Sequence, residues 1–379
     1  MSFLLSSVRT CVYRHPIKPS SLHLTQVFGK SLVSTTHLMS PSINDEGTSL
    51  GDAGLIPSVN TTVNLGNGIK VPPMGIGTWS WGDKTKWGYS VTHTEEDLKK
   101  AFDELVKRGI TFFDTAEKYS NGESERIIGR LLADWKDKPE GENIVVATKF
   151  LPVPWHLRYP SSLLSAIKLS AERLDVKCID LYQIHGPIHL RSIEVLADAL
   201  ADAVEAGLVK TVGVSNYSIN EMTRMHDALK KRGVKLATNQ IEFSLLRRYP
   251  ETGGLIRACQ ELGVEILAYS PLGMGRLTGK YNAANPPPSG RQFGNYSMQE
   301  IEPLLDVLRQ LALKYEKTIP QIAINWVICK GAIPIPGAKN LKQAQENCEA
   351  LGWRLEDADI DLLDACSFTG STYNFWQHG

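Results

Sequence analysis

From Thr61 onward, short apolar runs alternate with amphipathic segments of ten to fifteen residues. The runs are MGIGTW (74–79), ITFFDTA (110–116), NIVVATKF (143–150), CIDLYQIH (178–185), TVGVSNY (211–217), LATNQIEF (236–243), VEILAYSP (264–271) and AIPIPGA (332–338). They lack the polar alternation of a half-exposed strand, as expected for parallel strands covered on both faces. Between them, EEDLKKAFDELVKRG places Leu98, Phe102, Leu105 and Val106 on one helical face. IEVLADALADAVEAG and NEMTRMHDALKKRG behave alike, and each of the three stops at a glycine. Eight strand–helix units in about 300 residues predict a single-domain α/β fold, a closed (β/α)8 TIM barrel. TVNLGNGIKVP, ahead of the first unit, predicts an N-terminal β-hairpin around Gly66-Asn67-Gly68, placed to plug the barrel floor.

An open doubly wound sheet is the competing arrangement. It calls for a Gly-x-Gly-x-x-Gly turn after the first strand, and GIGTWSWG does not supply one. GMGRLTGK (273–280) fails as a phosphate-binding P-loop, because its spacing is wrong and Tyr281 stands where Ser or Thr belongs.

The chain of 379 residues is 42% apolar and 22% charged, with 41 basic and 41 acidic residues. That balance argues against nucleic acid as a bulk electrostatic partner, and no apolar run is long enough to span a bilayer. Six cysteines are scattered without a Cys-x-x-Cys pair, which predicts neither a disulfide framework nor a metal site. The first 44 residues contain no Asp or Glu, are rich in Ser and Thr, and carry Arg9, Arg14, Lys18 and Lys30. Such a leader reads as an organellar transit peptide, and its uncharged, Ser-rich start favours the chloroplast over the mitochondrion. The expected organisation is a transit peptide and flexible leader over 1–50, a flexible connection through Pro57, and the barrel over 61–370.

A barrel of this kind carries its working residues at the C-terminal ends of its strands. The second strand ends in Asp114 and leads to Tyr119; the third ends in Lys149 and the fourth in His185. Ser215-Asn216, Asn239-Gln240 and Tyr269-Ser270 follow at later strands. Singly, each has a bland reading as a cap, a core histidine or a snorkelling lysine. Jointly they suit an acid system. A phenol titrates near 10, too high for efficient proton donation at neutrality. An ammonium about 4 Å away favours phenolate by roughly 4 kcal/mol at an effective dielectric near 20. Lys149 would thus tune Tyr119, with Asp114 keeping Lys149 charged and desolvation opposing both ions. His185 would orient a carbonyl.

FFDTAEKYSNGESERIIG (112–129) resembles the signature of the aldo-keto reductases. VVATKF, LYQIH, GVSNYS, NQIEFS, YSPLGMGRLTGKY and IPIPGAKNLKQAQEN resemble the successive strand ends of that family, over about residues 61 to 365. The branch it resembles includes plant plastid members and potassium-channel β-subunits. The resemblance implies a barrel that binds NADPH/NADP+ without a Rossmann motif and reduces an aldehyde or ketone by hydride transfer. It implies Tyr119 as general acid, Lys149 and Asp114 as its tuning partners, and His185 as the carbonyl-orienting residue. Thr78 and Trp79 match positions lining the nicotinamide and pyrophosphate. Ser215, Asn216 and Gln240 match carboxamide ligands, and Tyr269 the aromatic stacked on the nicotinamide. Ser270, Leu272, Gly275 and Lys280 fall on the pyrophosphate loop, with Arg291 closing over it. Gly337 to Lys339, with Gln343, Glu346 and Asn347, match the grip on adenosine and its 2′-phosphate. Lys339 stands where some relatives have Ser or Arg; a lysine is still a point charge for phosphate. The alternative is an NADPH-binding redox-sensing subunit with slow turnover, but the channel β-subunits tend to lack the histidine kept here as His185. A dehydratase or isomerase is a further alternative, disfavoured by the full set of four. Candidate pocket walls are Trp81, Trp87, Trp155, Tyr217, Phe375 and Trp376.

Overall fold

The computed structural model describes residues 49–288, 296–373 and 375–379. The proposed leader, apart from its last two residues, and Arg291 therefore lie outside the described residues.

Ten strands are present among the described residues. β1 (Val63–Gly66) and β2 (Ile69–Val71) form the antiparallel hairpin, with Gly66, Asn67 and Gly68 at its turn. The eight remaining strands are β3 (Ile76–Gly77), β4 (Phe112–Asp114), β5 (Val145–Phe150), β6 (Ile179–Ile184), β7 (Val209–Ser215), β8 (Leu236–Glu242), β9 (Glu265–Tyr269) and β10 (Ile333–Pro334). Each lies within one of the eight apolar runs, or starts at most two residues before it. They pair in parallel in sequence order. A parallel bridge between Gly77 and Gly337 closes the ring, flanked by hydrogen bonds from the Gly75 and Gly77 amides to the carbonyls of Pro334 and Pro336, both 3.0 Å.

The helices cover the outside: α1 (Glu95–Lys107), α2 (Glu123–Ala133), α3 (Ser161–Leu174), α4 (Ile193–Glu205), α5 (Ile219–Lys231), α6 (Tyr249–Thr252), α7 (Leu255–Leu262), α8 (Met298–Lys314), α9 (Ile319–Cys329), α10 (Leu341–Cys348) and α11 (Asp357–Cys366). Their ends are written in the sequence. Thr94 with Asp97, Ser218 with Glu221 and Ser297 with Glu300 form reciprocal capping boxes, each satisfying amides the helix leaves unpaired. Beyond α1 the backbone turns left-handed at Gly109 (φ 83°), a conformation that would strain a residue bearing a Cβ. The face of α1 read from the sequence is buried as expected, with Leu98, Ala101, Phe102, Leu105 and Val106 inward.

Strand alternation divides the core in two. Phe113, Val146 and Tyr182 point outward to the helices. Phe112, Val145, Ala147, Leu181, Leu267 and Ile333 point into the barrel, where they meet Val63, Leu65, Ile69 and Val71 of the hairpin. The hairpin thus plugs the floor, as its position suggested. Leu50 joins this cluster, and Arg354 donates to the carbonyls of Leu50 (3.3 Å) and Gly51 (3.0 Å). The Gly352 amide donates to the Pro57 carbonyl at 2.8 Å. A flexible connection through Pro57 was expected; instead residues 49–57 pack on the barrel, because Leu50 has an apolar floor to cover.

Candidate active site

Two residues above the floor, the inward positions turn polar. Phe112 is followed by Asp114, Ala147 by Lys149, Leu181 by Gln183 and then His185, and Leu267 by Tyr269. A strand's period of two carries all of these to the interior. Asp114 (1% exposed) and Lys149 (0%) form a buried ion pair through Nζ and Oδ1. Lys149 Nζ also donates to the Thr115 carbonyl at 2.8 Å and lies 3.4 Å from the Tyr119 hydroxyl. Asp114 Oδ2 accepts two amides, Gln240 Nε2 at 2.8 Å and Gln183 Nε2 at 3.1 Å. The Tyr119 and His185 rings meet edge to face, their centroids 5.7 Å apart. The four residues read as catalytic therefore converge at one end of the barrel.

The electrostatics differ from the expectation in one respect. Burial first, and the Asp114 carboxylate second, hold the Tyr119 phenol well above its ordinary value. The ammonium is spent on Asp114 and Thr115, so the phenol faces an ion pair rather than a bare cation, and in this state it remains a protonated donor. Burial pulls Lys149 down while Asp114 opposes that. His185 is held well below the usual imidazole value, by burial first and Lys149 second, so it is neutral near neutrality. Its buried Nδ1 has no hydrogen-bond partner among the described residues.

Ser124 and Glu125, which open α2, are structural. The Ser124 hydroxyl lies 2.8 Å from both the Thr78 and Thr115 hydroxyls, and Glu125 accepts from Thr148 (2.6 Å) and Arg173 (2.5 Å). This ties α2 to β3, β4 and β5 and fixes the approach of Tyr119. Thr78 consequently turns its hydroxyl to Ser124 and to the Asp114 carbonyl (3.0 Å), while Trp79 packs beside Tyr119 at 6.3 Å.

Further round the rim, Ser215 donates to the Gln240 carbonyl at 2.9 Å, and Asn216, in left-handed backbone (φ 62°), donates to Ser215 at 3.2 Å. Tyr269 donates to Asn216 Oδ1 at 3.0 Å. Ser270 also has positive φ, and Gly273 to Thr278 form a tight turn in which the Leu272 carbonyl accepts from the Gly275 amide at 2.9 Å. Lys280 is exposed, with its Nζ over the Tyr281 ring. Across the barrel seam, Gly337 is exposed and Lys339 Nζ sits 5.7 Å from the centre of the Trp87 ring. Gln343 accepts from the Lys339 amide (2.9 Å) and Asn347 donates to the Gly337 carbonyl (3.3 Å), so both side chains brace the 337–339 loop. Glu346 is half-buried and its carbonyl accepts from Gln321.

The wall residues sort unevenly. Trp376 packs on His185 at 5.3 Å and Trp87 on Trp79 at 5.7 Å. Trp81 is core instead, fully buried with its indole N–H donated to the Ala338 carbonyl at 2.9 Å. Tyr217 is also fully buried, its hydroxyl 2.9 Å from His189 Nε2. Trp155 (75% exposed) and Phe375 (64%) stand out in solvent rather than lining a wall. The 376–378 segment lies against the rim. Gln377 donates to Glu242 (2.5 Å) and to the Tyr269 hydroxyl (3.0 Å), and the His378 amide to the Asn216 carbonyl (3.0 Å).

Gln183 and Thr238 were missed by the sequence reading. For Gln183 a signal existed: a lone amide in an apolar strand, two residues before His185 and so on the same face. Thr238 gave none. Ala237 packs in the floor cluster while Thr238 donates to Gln183 Oε1 at 3.2 Å. Neighbours facing one side break strand alternation, and a register shift at Val212/Gly213 in the β7–β8 ladder permits it.

A closed parallel barrel with polar strand ends defines a class, and comparison with known proteins specifies it. The aldo/keto reductase family model matches residues 73–367, and the chain belongs to that family, a family of oxidoreductases. It is 41% identical over 305 residues to the chloroplastic pyridoxal reductase of Arabidopsis thaliana, covering 78% of this chain and 83% of that protein. Among solved structures, a glycerol dehydrogenase from Gluconobacter oxydans is 27% identical with a TM-score of 0.67, over 82% of this chain and 94% of that one. An aldo-keto reductase from Klebsiella pneumoniae in complex with NADPH shares the fold at 23% identity and a TM-score of 0.65, over 84% of this chain and 97% of that one. No helix among the described residues is long and apolar enough to cross a membrane.

Proposed function

We propose that the protein is an NADPH-dependent reductase of small aldehydes or ketones, with Tyr119 as its proton donor. The observation that carries the reading is the convergence of the Tyr119 hydroxyl, the Lys149–Asp114 pair and His185 at one mouth of the barrel. The residues present fit the cofactor. The orphaned His185 Nδ1 offers an unpaired polar atom beside Tyr119, the 273–278 turn presents backbone, and Lys280 and Lys339 supply cations for phosphates. Ser215, Asn216, Gln240 and Tyr269 would hold the nicotinamide end, and Gly337 to Lys339 the adenosine end. When bound, NADPH supplies a hydride to the carbonyl carbon. The chain does the rest. His185, neutral, holds the carbonyl oxygen; Tyr119 gives it a proton; and Lys149, kept charged by Asp114, stabilises the phenolate left behind.

Trp79, Tyr119 and Trp376 make the mouth aromatic, which suits a planar aromatic aldehyde. The similarity to a pyridoxal reductase supports pyridoxal as the first compound to try, and the name of that relative, with the acid-free leader, supports a plastid location. The leader over 1–50 and the barrel over 61–370 are part of the same proposal.

The test is fluorescence titration of residues 50–379 with NADPH and NADH, followed by turnover of pyridoxal. NADPH-selective quenching is expected. Tyr119→Phe should lower kcat about 10²- to 10⁴-fold while leaving NADPH affinity within a few-fold. Wild-type turnover in that variant would remove Tyr119 from the mechanism. Tight NADPH binding with negligible turnover of any carbonyl would favour the redox-sensing alternative.

A further inference from the structure

Asp114 is surrounded more completely than an ion pair requires. Oδ1 is committed to Lys149, and Oδ2 receives two amides, one from β8 and one from β6. Gln240 belongs to the set that the proposed function assigns to the nicotinamide end, so its amide is shared between two duties. Gln183 is fully buried, donating to Asp114 and accepting from Thr238. The Thr238 hydroxyl donates to Gln183 Oε1, which assigns oxygen and nitrogen within the amide and aims the nitrogen at Asp114. The two side chains meet across β7 because residue 213 is glycine. A Cβ there would lie 2.0 Å from Thr238 Oγ1 and 3.1 Å from Gln183 Cγ. Three adjacent strands thus build one support under one carboxylate oxygen.

We propose that Gln183 is a positioning residue of the reaction: oriented by Thr238 through the space left open at Gly213, it holds the Asp114 carboxylate in register with Lys149, and so sets how well Lys149 supports charge on Tyr119. The inference rests on the functional reading above. A buried carboxylate keeps its charge through the hydrogen bonds it accepts. If Gln240 turns to the cofactor, Gln183 is the amide that remains on Oδ2. Without it, Asp114 is free to turn away from Lys149, burial then pulls Lys149 further toward its neutral form, and a neutral Lys149 no longer favours phenolate. The groups facing this centre are Lys149 on β5, His185 after β6, Tyr269 on β9 and Glu125 on α2, so a changed pH profile must be compared with theirs.

The experiment measures kcat against pH for pyridoxal reduction, NADPH affinity by fluorescence, and melting temperature, in Gln183→Met, Thr238→Val and Thr238→Ser, with Tyr119→Phe as control. Gln183→Met should lower kcat roughly 10- to 100-fold, the scale of a misplaced catalytic group, with NADPH affinity nearly unchanged. Its alkaline limb should move to higher pH, because the phenol loses cationic support. Thr238→Val should shift both in the same direction by less, and Thr238→Ser, which restores the hydroxyl, should return them to wild type. Wild-type kcat and pH profile in Gln183→Met would overturn the proposal. So would a fall in kcat with an unmoved limb and an equal loss of NADPH affinity, which marks a purely structural residue. Tyr119→Phe separates the two claims: if it keeps turnover, the functional reading fails; if it is dead while Gln183→Met is normal, only this inference fails.

Discussion

The floor and the mouth of the barrel are built from the same strands, two residues apart, and differ completely in chemistry. At the floor, Phe112, Ala147, Leu181 and Leu267 close on the hairpin's Val63, Leu65, Ile69 and Val71. At the mouth, Asp114, Lys149, Gln183 and Tyr269 occupy the next inward positions. Both layers are buried, apart from the half-buried Tyr269. The floor is stable there because apolar area removed from water is favourable by about 25 cal/mol per Å². The mouth is stable there only because its polar atoms find partners on other strands. The comparison teaches that floor residues can be exchanged for others of similar volume, whereas mouth residues must be exchanged as a network.

The sharpest break of that contrast is Lys149→Met. It leaves Asp114 as an uncompensated buried charge, so stability should fall by about 3–5 kcal/mol, and turnover should be lost. Adding Asp114→Asn should recover much of the stability and none of the turnover; denaturant unfolding and kcat together read this out. Recovery of turnover would show that the pair plays no part in the chemistry.

At the floor, Leu65→Ala removes a fully buried side chain from the plug and should cost about 2–5 kcal/mol in unfolding free energy. The folded fraction should keep its kcat, because the cavity opens two layers below Tyr119. A kcat loss matching the stability loss would mean the two layers are coupled.

Lys339→Ala should weaken NADPH roughly 10- to 100-fold, the loss of a charge-assisted contact worth about 1.5–3 kcal/mol, and leave NADH nearly unchanged. Equal losses for both nucleotides would place the 2′-phosphate elsewhere.

The smallest effect concerns pH. The folded-state value of His185 lies well below its unfolded value near 6.5, so its contribution to stability is present above about pH 6.5 and lost as pH falls towards the folded value. In His185→Gln, stability should therefore decline less steeply than wild type on acidification below about pH 6.5. Identical slopes from thermal melts would mean that His185 takes up its proton without penalty in the folded chain.

Much of this was legible in the chain. The eight runs, the hairpin, the glycines that stop three of the helices, and the polar residues at the strand ends follow from local pattern. Patterning is local because secondary structure repeats every two or 3.6 residues. Partnership across strands is not local. Gln183 finds Asp114 across 69 positions of sequence and Thr238 across 55. Trp81 and Trp155 look alike in sequence, as aromatics just beyond strands, yet one is core and the other faces solvent. Burial depends on what the rest of the chain brings alongside.

By itself, then, the sequence determined the kind of barrel, the order of its strands and which residues lie at their ends, since these need only the period of each segment. The tertiary structure decided which of those residues meet on one carboxylate. It placed Lys149 on Asp114 before Tyr119, and it buried the Tyr119 phenol beside that carboxylate, which together hold the phenol above its ordinary value. It turned Thr238 inward at a register shift that no periodicity announces. Both outcomes are set by distances of a few ångströms between distant segments, where buried charges interact most strongly and unpaired polar atoms cost most.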